Sequence, residues 1–197
     1  MHTMYFLSRF LRNPVKVASV VPSSKHLANA MLKDVNLQPG DSVLEYGPGT
    51  GSFTQQIVNS VRHSAFRGGR LRYLGIERDP GFREVVMGRF PDLDFHLGDV
   101  LDQRRLIEEY RLPRPRLIIS GLPFVSIPQD ITLDILHTAR DLLVPGGFFR
   151  AFSYLHAWPT PGAFRLRKWM DEIFDSFELN GPIALNVPPA FVLSGRA

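Results

Sequence analysis

The chain contains no cysteine, which excludes disulfides and cysteine-ligated metals and leaves the cellular compartment open. No stretch approaches the roughly 18 consecutive apolar residues that a membrane-crossing helix needs. At the N-terminus arginines interrupt the apolar residues and no small-residue cleavage site follows, so a secretory leader is not expected. The six histidines are scattered, without metal-ligand spacing, and surface or packing roles suit all of them. There is no internal repeat and no low-complexity segment. No metal is expected.

What is present is ordinary in bulk and uneven in detail. A chain of 197 residues is most simply one domain with a full core. Its 44% hydrophobic and 21% charged residues suit a globular protein. The net charge of +4 is concentrated: residues 1–40 hold Arg9, Arg12, Lys16, Lys25 and Lys33 against Asp34 alone, while the rest of the chain balances. Residues 4–12 read as a short helix stopped by Asn13-Pro14, with Phe6, Phe10, Leu7 and Leu11 at helical spacing and Arg9 and Arg12 on the other flank. Such a helix can lie in an anionic membrane interface or pack on the body of the domain. Ser23 or Ser24 can cap a following helix through Leu27, Ala28, Met31 and Leu32. The chain thus divides into a helical arm, 1–40, of membrane or lid character, and a main domain, 41–197.

The main domain opens on Val43-Leu44-Glu45-Tyr46-Gly47-Pro48-Gly49-Thr50-Gly51. A buried strand running into a glycine-rich turn and then a helix from Ser52 is the first unit of a doubly wound α/β sheet. Dinucleotide folds space their glycines G-x-G-x-x-G to seat a pyrophosphate. Here the order is acid-x-G-x-G-x-G. An acid at the strand tip repels a pyrophosphate and accepts a hydrogen bond from an ammonium group. A second strand ends at Glu77, 26 residues beyond Gly51, followed by Arg78; a third, 93–100, carries Asp99 and Val100 at its end. Glu77 can accept from both ribose hydroxyls and Asp99 from an adenine amino group. Singly these are ordinary loop acids. Three strand–loop units with acids along one edge, where open α/β sheets bind ligands, are harder to dismiss. A fourth strand, 115–120, leads into Gly121-Leu122-Pro123-Phe124. A fifth, 148–153, ends beside Tyr154, and Ser176–Ile183 with Ala190–Leu193 can form a terminal antiparallel pair.

The glycine pattern resembles motif I of class I S-adenosylmethionine (SAM) methyltransferases. That resemblance implies a Rossmann-like fold, a seven-stranded, mostly parallel sheet with helices on both faces. It also implies SAM as cofactor, held by Glu45, Tyr46, Gly47, Gly49, Thr50, Gly51, Glu77, Arg78, Asp99, Val100 and Ser120. Ser120-Gly121-Leu122-Pro123-Phe124 resembles the Asn-Leu-Pro-Tyr signature of rRNA adenine dimethylases, whose carbonyl and amide oxygens aim the target nitrogen. By that likeness the Leu122 carbonyl accepts from the amine, Ser120 stands in for the missing amide, Pro123 stiffens the bend and Phe124 packs against substrate. Gly121 replaces the asparagine and Phe124 lacks the tyrosine hydroxyl. A site without polar readers suits an aliphatic amine better than a nucleobase, and an aromatic face stabilises the methylated cation. Phe124 is otherwise a core aromatic, and Tyr154 contacts substrate or serves structure.

With Phe10–Pro14, Val21–Ser24, Phe152–Tyr154 and Asn186–Val192, these segments resemble the bacterial phospholipid N-methyltransferase family over almost the whole chain. The family implies methylation of the phosphatidylethanolamine head group towards phosphatidylcholine, or of ornithine lipids by its relatives. It also implies an arm docked on the inner face of the cytoplasmic membrane, with Ser23, Ser24, Pro123, Phe124 and Tyr154 near substrate. No catalytic triad is expected, because methyl transfer from a sulfonium asks mainly for a neutral amine in line. An rRNA adenine methyltransferase is the competing expectation, weakened by the missing asparagine and the charge-neutral body, and a binding module without turnover is the third.

Overall fold

The structure is a computed structural model that describes residues 23–63 and 71–197. The expected helix at 4–12 lies outside the described residues. In chain order the elements are α1 (Lys25–Leu32), β1 (Ser42–Tyr46), α2 (Ser52–His63), β2 (Arg72–Glu77), α3 (Pro80–Arg89), β3 (Asp94–Leu97), α4 (Gln103–Glu109), β4 (Leu117–Ser120), α5 (Gln129–Leu142), β5 (Phe148–Tyr154), α6 (Pro161–Ile173), β6 (Ser176–Ile183) and β7 (Ala190–Arg196). One seven-stranded sheet runs in the order β3-β2-β1-β4-β5-β7-β6. Strands β1 to β5 are parallel, and β7 enters antiparallel between β5 and β6. The seven-stranded, mostly parallel sheet expected from the sequence is the one found.

Alternation along the buried strands divides the apolar residues into two cores, because successive side chains leave a strand on opposite faces. Leu44, Tyr46, Leu74, Ile76, Ile118 and Phe149 face the side covered by α4, α5 and α6. Val43, Tyr73, Leu117, Ile119 and Phe148 face the side covered by α1, α2 and α3. The central strand β1 is buried at every position, as expected of a parallel strand covered on both faces.

The described part of the arm belongs to this second core. Leu27, Ala28 and Met31 of α1 are buried with Val43 and Val192. Both ends of α1 are tied to the C-terminal half. Ser24 caps its start, accepting from the Leu27 N–H at 3.2 Å, while its own N–H donates to Asn186 Oδ1 at 3.0 Å. The buried Arg150 of β5 donates to the Lys33 carbonyl at 3.0 Å, satisfying an orphan acceptor at the helix end. Burial lowers the pKa of this guanidinium.

The third strand is shorter than expected. It stops at Leu97, and Asp99 instead caps a short 3₁₀ turn, Val100–Asp102, by accepting from the Leu101 N–H at 3.0 Å.

Candidate active site

A cleft of about 210 Å³ opens at the carboxyl edge of the sheet, between the loops that follow β1, β2, β3 and β4. Backbone hydrogen bonds continue past the strands and hold these loops together. Gly47 N–H donates to the Ile76 carbonyl at 2.9 Å, Gly98 N–H to the Glu77 carbonyl at 2.9 Å, and Gly121 N–H to the Tyr46 carbonyl at 2.8 Å.

The glycine turn forms one wall. Gly47 and Gly49 have φ of +63° and +56°, the left-handed region that glycine occupies at least cost. Both line the cleft and present backbone rather than side chain to it. Gly51 serves another purpose. A Cβ there would stand 2.6 Å from the Phe90 ring and 3.3 Å from Val86, so its bareness lets α3 pack against the turn. The Thr50 carbonyl accepts from the Arg89 guanidinium.

Glu77, nearly buried at the tip of β2, organises the second wall. Its Oε1 accepts from the backbone N–H groups of Arg78 and Asp79 at 2.8 and 2.9 Å, and its Oε2 from Gly49 N–H at 2.9 Å. A carboxylate oxygen has two acceptor positions, so Oε1 is filled and Oε2 retains one. Beyond it, Asp99 Oδ2 lies 3.7 Å from the Arg78 guanidinium in a partly exposed pair. Val100 adds an apolar wall.

Opposite stands the bend after β4. Pro123 has φ −81° and ψ 67°, the centre of an inverse γ-turn, in which the Leu122 carbonyl accepts from Phe124 N–H at 3.0 Å. Leu122 and Pro123 line the cleft with Ile127 and Ile131. Gly121 sits directly on the glycine turn, and a Cβ at that position would lie 2.6 Å from the Gly47 carbonyl oxygen.

Four of the expected site residues do not present side chains to this cleft. Glu45 leaves β1 on the α2 side, where its fully buried Oε2 accepts from Thr54 Oγ1 at 2.8 Å and Tyr73 OH at 2.7 Å. Desolvation raises its pKa from 4.5 to about 7, against the two hydroxyl donors that lower it. Tyr46 leaves on the opposite face and donates to Gln103 Oε1 inside the core. Ser120 is fully buried, and its Oγ accepts from Leu122 N–H at 3.2 Å; it braces the bend rather than facing a substrate. Phe124 is also a core residue, 3% exposed, with its ring 6.1 Å from that of Phe149. Its placement overturns the expected aromatic contact with substrate, since the turn at Pro123 sends the ring inward.

The remaining expected residues lie along the same edge or beside it. Tyr154, half-buried at the end of β5, stacks on His156 with centroids 5.5 Å apart; burial raises its pKa. Ser24 is the helix cap described above. Ser23 lines a separate polar hollow with Lys25, Gln55 and Arg89.

No family model matches the chain. It is 28% identical over 188 residues to an ornithine lipid N-methyltransferase of Singulisphaera acidiphila, covering 94% of this chain and 91% of that protein. It is 32% identical over 115 residues to ribosomal RNA small subunit methyltransferase A of Syntrophotalea carbinolica, where the match spans 57% of this chain and 38% of that protein. Among solved structures, a SAM-dependent methyltransferase from Archaeoglobus fulgidus superposes with a TM-score of 0.62 at 11% identity, covering 96% of this chain and 99% of that one. The chain is a class I SAM-dependent methyltransferase.

The cleft of this methyltransferase fits that cofactor in kind. Towards the cleft the turn offers only the backbone of Gly47 and Gly49, as the close approach of a ribose and an amino-acid tail requires. Glu77 has an acceptor position to spare, and Ile76 and Val100 supply apolar walls for a flat ring. Ile127, Ile131 and Ile135 also line the cleft, and nothing in the sequence marks them as site residues. They belong to a loop and helix whose apolar spacing looks like any core stripe. The contact of Gly121 with Gly47 has one sequence signal, a glycine at the tip of β4 beside a glycine turn.

Proposed function

We propose that this methyltransferase transfers methyl groups to the primary amine of a membrane-lipid head group. The observation that carries it is the seating of Gly121 on the Gly47 carbonyl. In the nucleobase signature an amide acceptor stands at this position, and here a 2.6 Å approach leaves no room even for its Cβ. The cleft wall beside it is Leu122, Pro123, Ile127 and Ile131. Such a wall offers little to the edge of a base and suits an aliphatic amine. The whole-length likeness to an ornithine lipid N-methyltransferase supports the lipid class. It favours an ornithine head group, with phosphatidylethanolamine, an amine of the same chemical type, as the next candidate.

The bound cofactor supplies a methyl group already activated on a sulfonium. Glu77 would take a ribose hydroxyl on its open acceptor position, and Asp99 would accept from the amino edge of the purine. Gly47 and Gly49 let the backbone approach the amino-acid portion. The second lone pair of the Leu122 carbonyl accepts an N–H of the incoming amine and orients its lone pair. Apolar walls disfavour an ammonium ion, lowering its pKa and supplying the neutral amine that reacts.

The partial likeness to rRNA methyltransferases favours a second reading, methylation of adenine in rRNA. Labelled SAM offered separately to ornithine-lipid vesicles, phosphatidylethanolamine vesicles and small-subunit rRNA decides between them. Label in either lipid is the expected result, label in rRNA alone overturns it, and SAM binding without label in any of the three indicates a binding module.

A further inference from the structure

Beyond the cleft, the same sheet edge carries an exposed apolar rim that the reaction does not use. Phe164 at the start of α6 is 63% exposed, and Leu185 and Val187 in the β6–β7 turn are 66% and 72% exposed. Leu155, 42% exposed, joins the two segments: its N–H donates to the Pro189 carbonyl at 2.7 Å. The Trp158 ring lies tilted against Phe191 with centroids 4.2 Å apart, and the Arg167 guanidinium lies 3.8 Å from the Trp158 centroid and 5.8 Å from that of Phe164. The pieces form one continuous surface.

At this edge the charge is of one sign, and Asp171, Glu172, Asp175 and Glu178 come only in the last turn of α6 and beyond it. Residues 142–170 and 179–197 contain no Asp or Glu, while Arg165 and Lys168 stand exposed beside Phe164 on α6. Lys168 pairs with Glu172 across an exposed 3.5 Å bridge, too weak a contact to cancel the field. The chain balances its charge outside residues 1–40 only as an average; this rim is locally basic.

We infer that this rim is a docking surface for an anionic phospholipid bilayer, separate from the N-terminal arm. A second copy of the chain would bring like charges together. A single-stranded nucleic acid would need open aromatic faces for stacking, whereas Trp158 is covered by Phe191 and Arg167, and three of the exposed groups are aliphatic. Exposed aliphatic and aromatic side chains beside Arg and Lys are what the head-group and acyl boundary accepts.

The position of the rim gives docking a consequence for the lipid reading, on which that consequence rests. Strands β4 and β5 are parallel and β6 runs in the same direction, so Tyr154, the start of α6 and the β6–β7 turn share the edge of the cleft. The first turn of α6 also abuts the bend after Pro123, since a Cβ on Gly162 would lie 2.5 Å from the Val125 carbonyl oxygen. A bilayer seated on the rim therefore meets the element that supports the Leu122–Pro123 wall.

The test is flotation of the full chain with vesicles of phosphatidylglycerol and phosphatidylcholine, which contain no primary-amine lipid. Failure of docking and failure of the head-group reading are thereby kept apart. Phe164→Ser, Leu185→Ser and Val187→Ser together are expected to weaken vesicle binding about a hundredfold. Arg165→Glu and Lys168→Glu are expected to cost roughly fivefold each at low salt, and much less at high salt. S-adenosylhomocysteine affinity and melting temperature should hold in every variant. Vesicle binding unchanged in both sets overturns the inference, as does loss of a wild-type dimer in place of vesicle binding. If the triple variant does not fold, the charge pair on the exposed face of α6 decides alone.

Discussion

Glu77→Gln is the substitution that most directly separates a ligand contact from a structural one. The carboxylate accepts three backbone N–H groups, from Gly49, Arg78 and Asp79. An amide can keep its oxygen on the Arg78 and Asp79 pair, but its NH₂ then faces the Gly49 N–H. One charge-assisted bond, worth about 1.5–3 kcal/mol, is lost and a nearly buried donor is left unpaired. A destabilisation of about 2–4 kcal/mol follows, or roughly 5–15 °C in melting temperature for a chain of this size. The open acceptor position on Oε2 also becomes a donor. If that position takes a ribose hydroxyl, S-adenosylhomocysteine binding weakens by a further 1.5–3 kcal/mol, about 10- to 150-fold.

Two measurements on the same preparation check this, differential scanning calorimetry without ligand and isothermal titration with S-adenosylhomocysteine at a temperature where the variant is folded. A lowered melting temperature with affinity within twofold of wild type would refute the ribose contact and leave Glu77 as a loop organiser. An unchanged melting temperature would refute the hydrogen-bond geometry itself. Glu77→Ala is less informative, because it removes all three bonds together.

Other outcomes follow from the same geometry. Gly51→Ala forces a φ of +82° on an L-residue and drives its Cβ into Phe90; about 2–5 kcal/mol of stability should be lost, and a melting temperature within 2 °C of wild type would contradict the packing role. Gly121→Asn should lower stability and S-adenosylhomocysteine affinity without creating rRNA methylation, and label appearing in rRNA would show that the Gly47 contact does not decide substrate class. For Glu45, burial raises the folded-state pKa to about 7, so the native state holds the proton more tightly. Its contribution is nil below about pH 4.5 and becomes destabilising as pH rises to 7, by about 3 kcal/mol in total. Glu45→Gln should remove that slope in urea titrations, and a stability difference from wild type that stays constant from pH 4.5 to 7 would disprove it.

Strands β1, β2 and β4 were legible because each is a largely apolar run bounded by turn residues, and the position of Glu77 at the tip of β2 followed from that. What could not be read was direction. A strand buried on both faces carries no polar side to mark its orientation, so Glu45 and Tyr46 looked equally available to a ligand at the edge. Alternation sends one to Thr54 and Tyr73 and the other to Gln103, and neither to the cleft. Phe124 was misplaced for a related reason. The sequence shows Pro123 but not its ψ, and a ψ of 67° turns the following ring towards Phe149. The third strand was overextended because Gly98-Asp99 reads as a strand end until the capping bond to Leu101 is seen.

Gly121 links two questions usually asked separately, what holds the cofactor turn and what chooses the substrate. The Gly121 N–H bonds to Tyr46 while its α-carbon lies against the Gly47 carbonyl, so the substrate bend and the cofactor turn are packed as one piece. Ser120 braces that piece through Leu122 N–H, and the first turn of α6 supports it through Val125. Any side chain at position 121 must push the bend away from the turn, changing the distance between methyl donor and acceptor together with the polarity of the wall. On the proposed reading, selectivity for an aliphatic amine is not a separate acquisition of the site. It would follow from the close packing of Gly121 on Gly47, and polar recognition of a base could not be restored at this position without disturbing that packing.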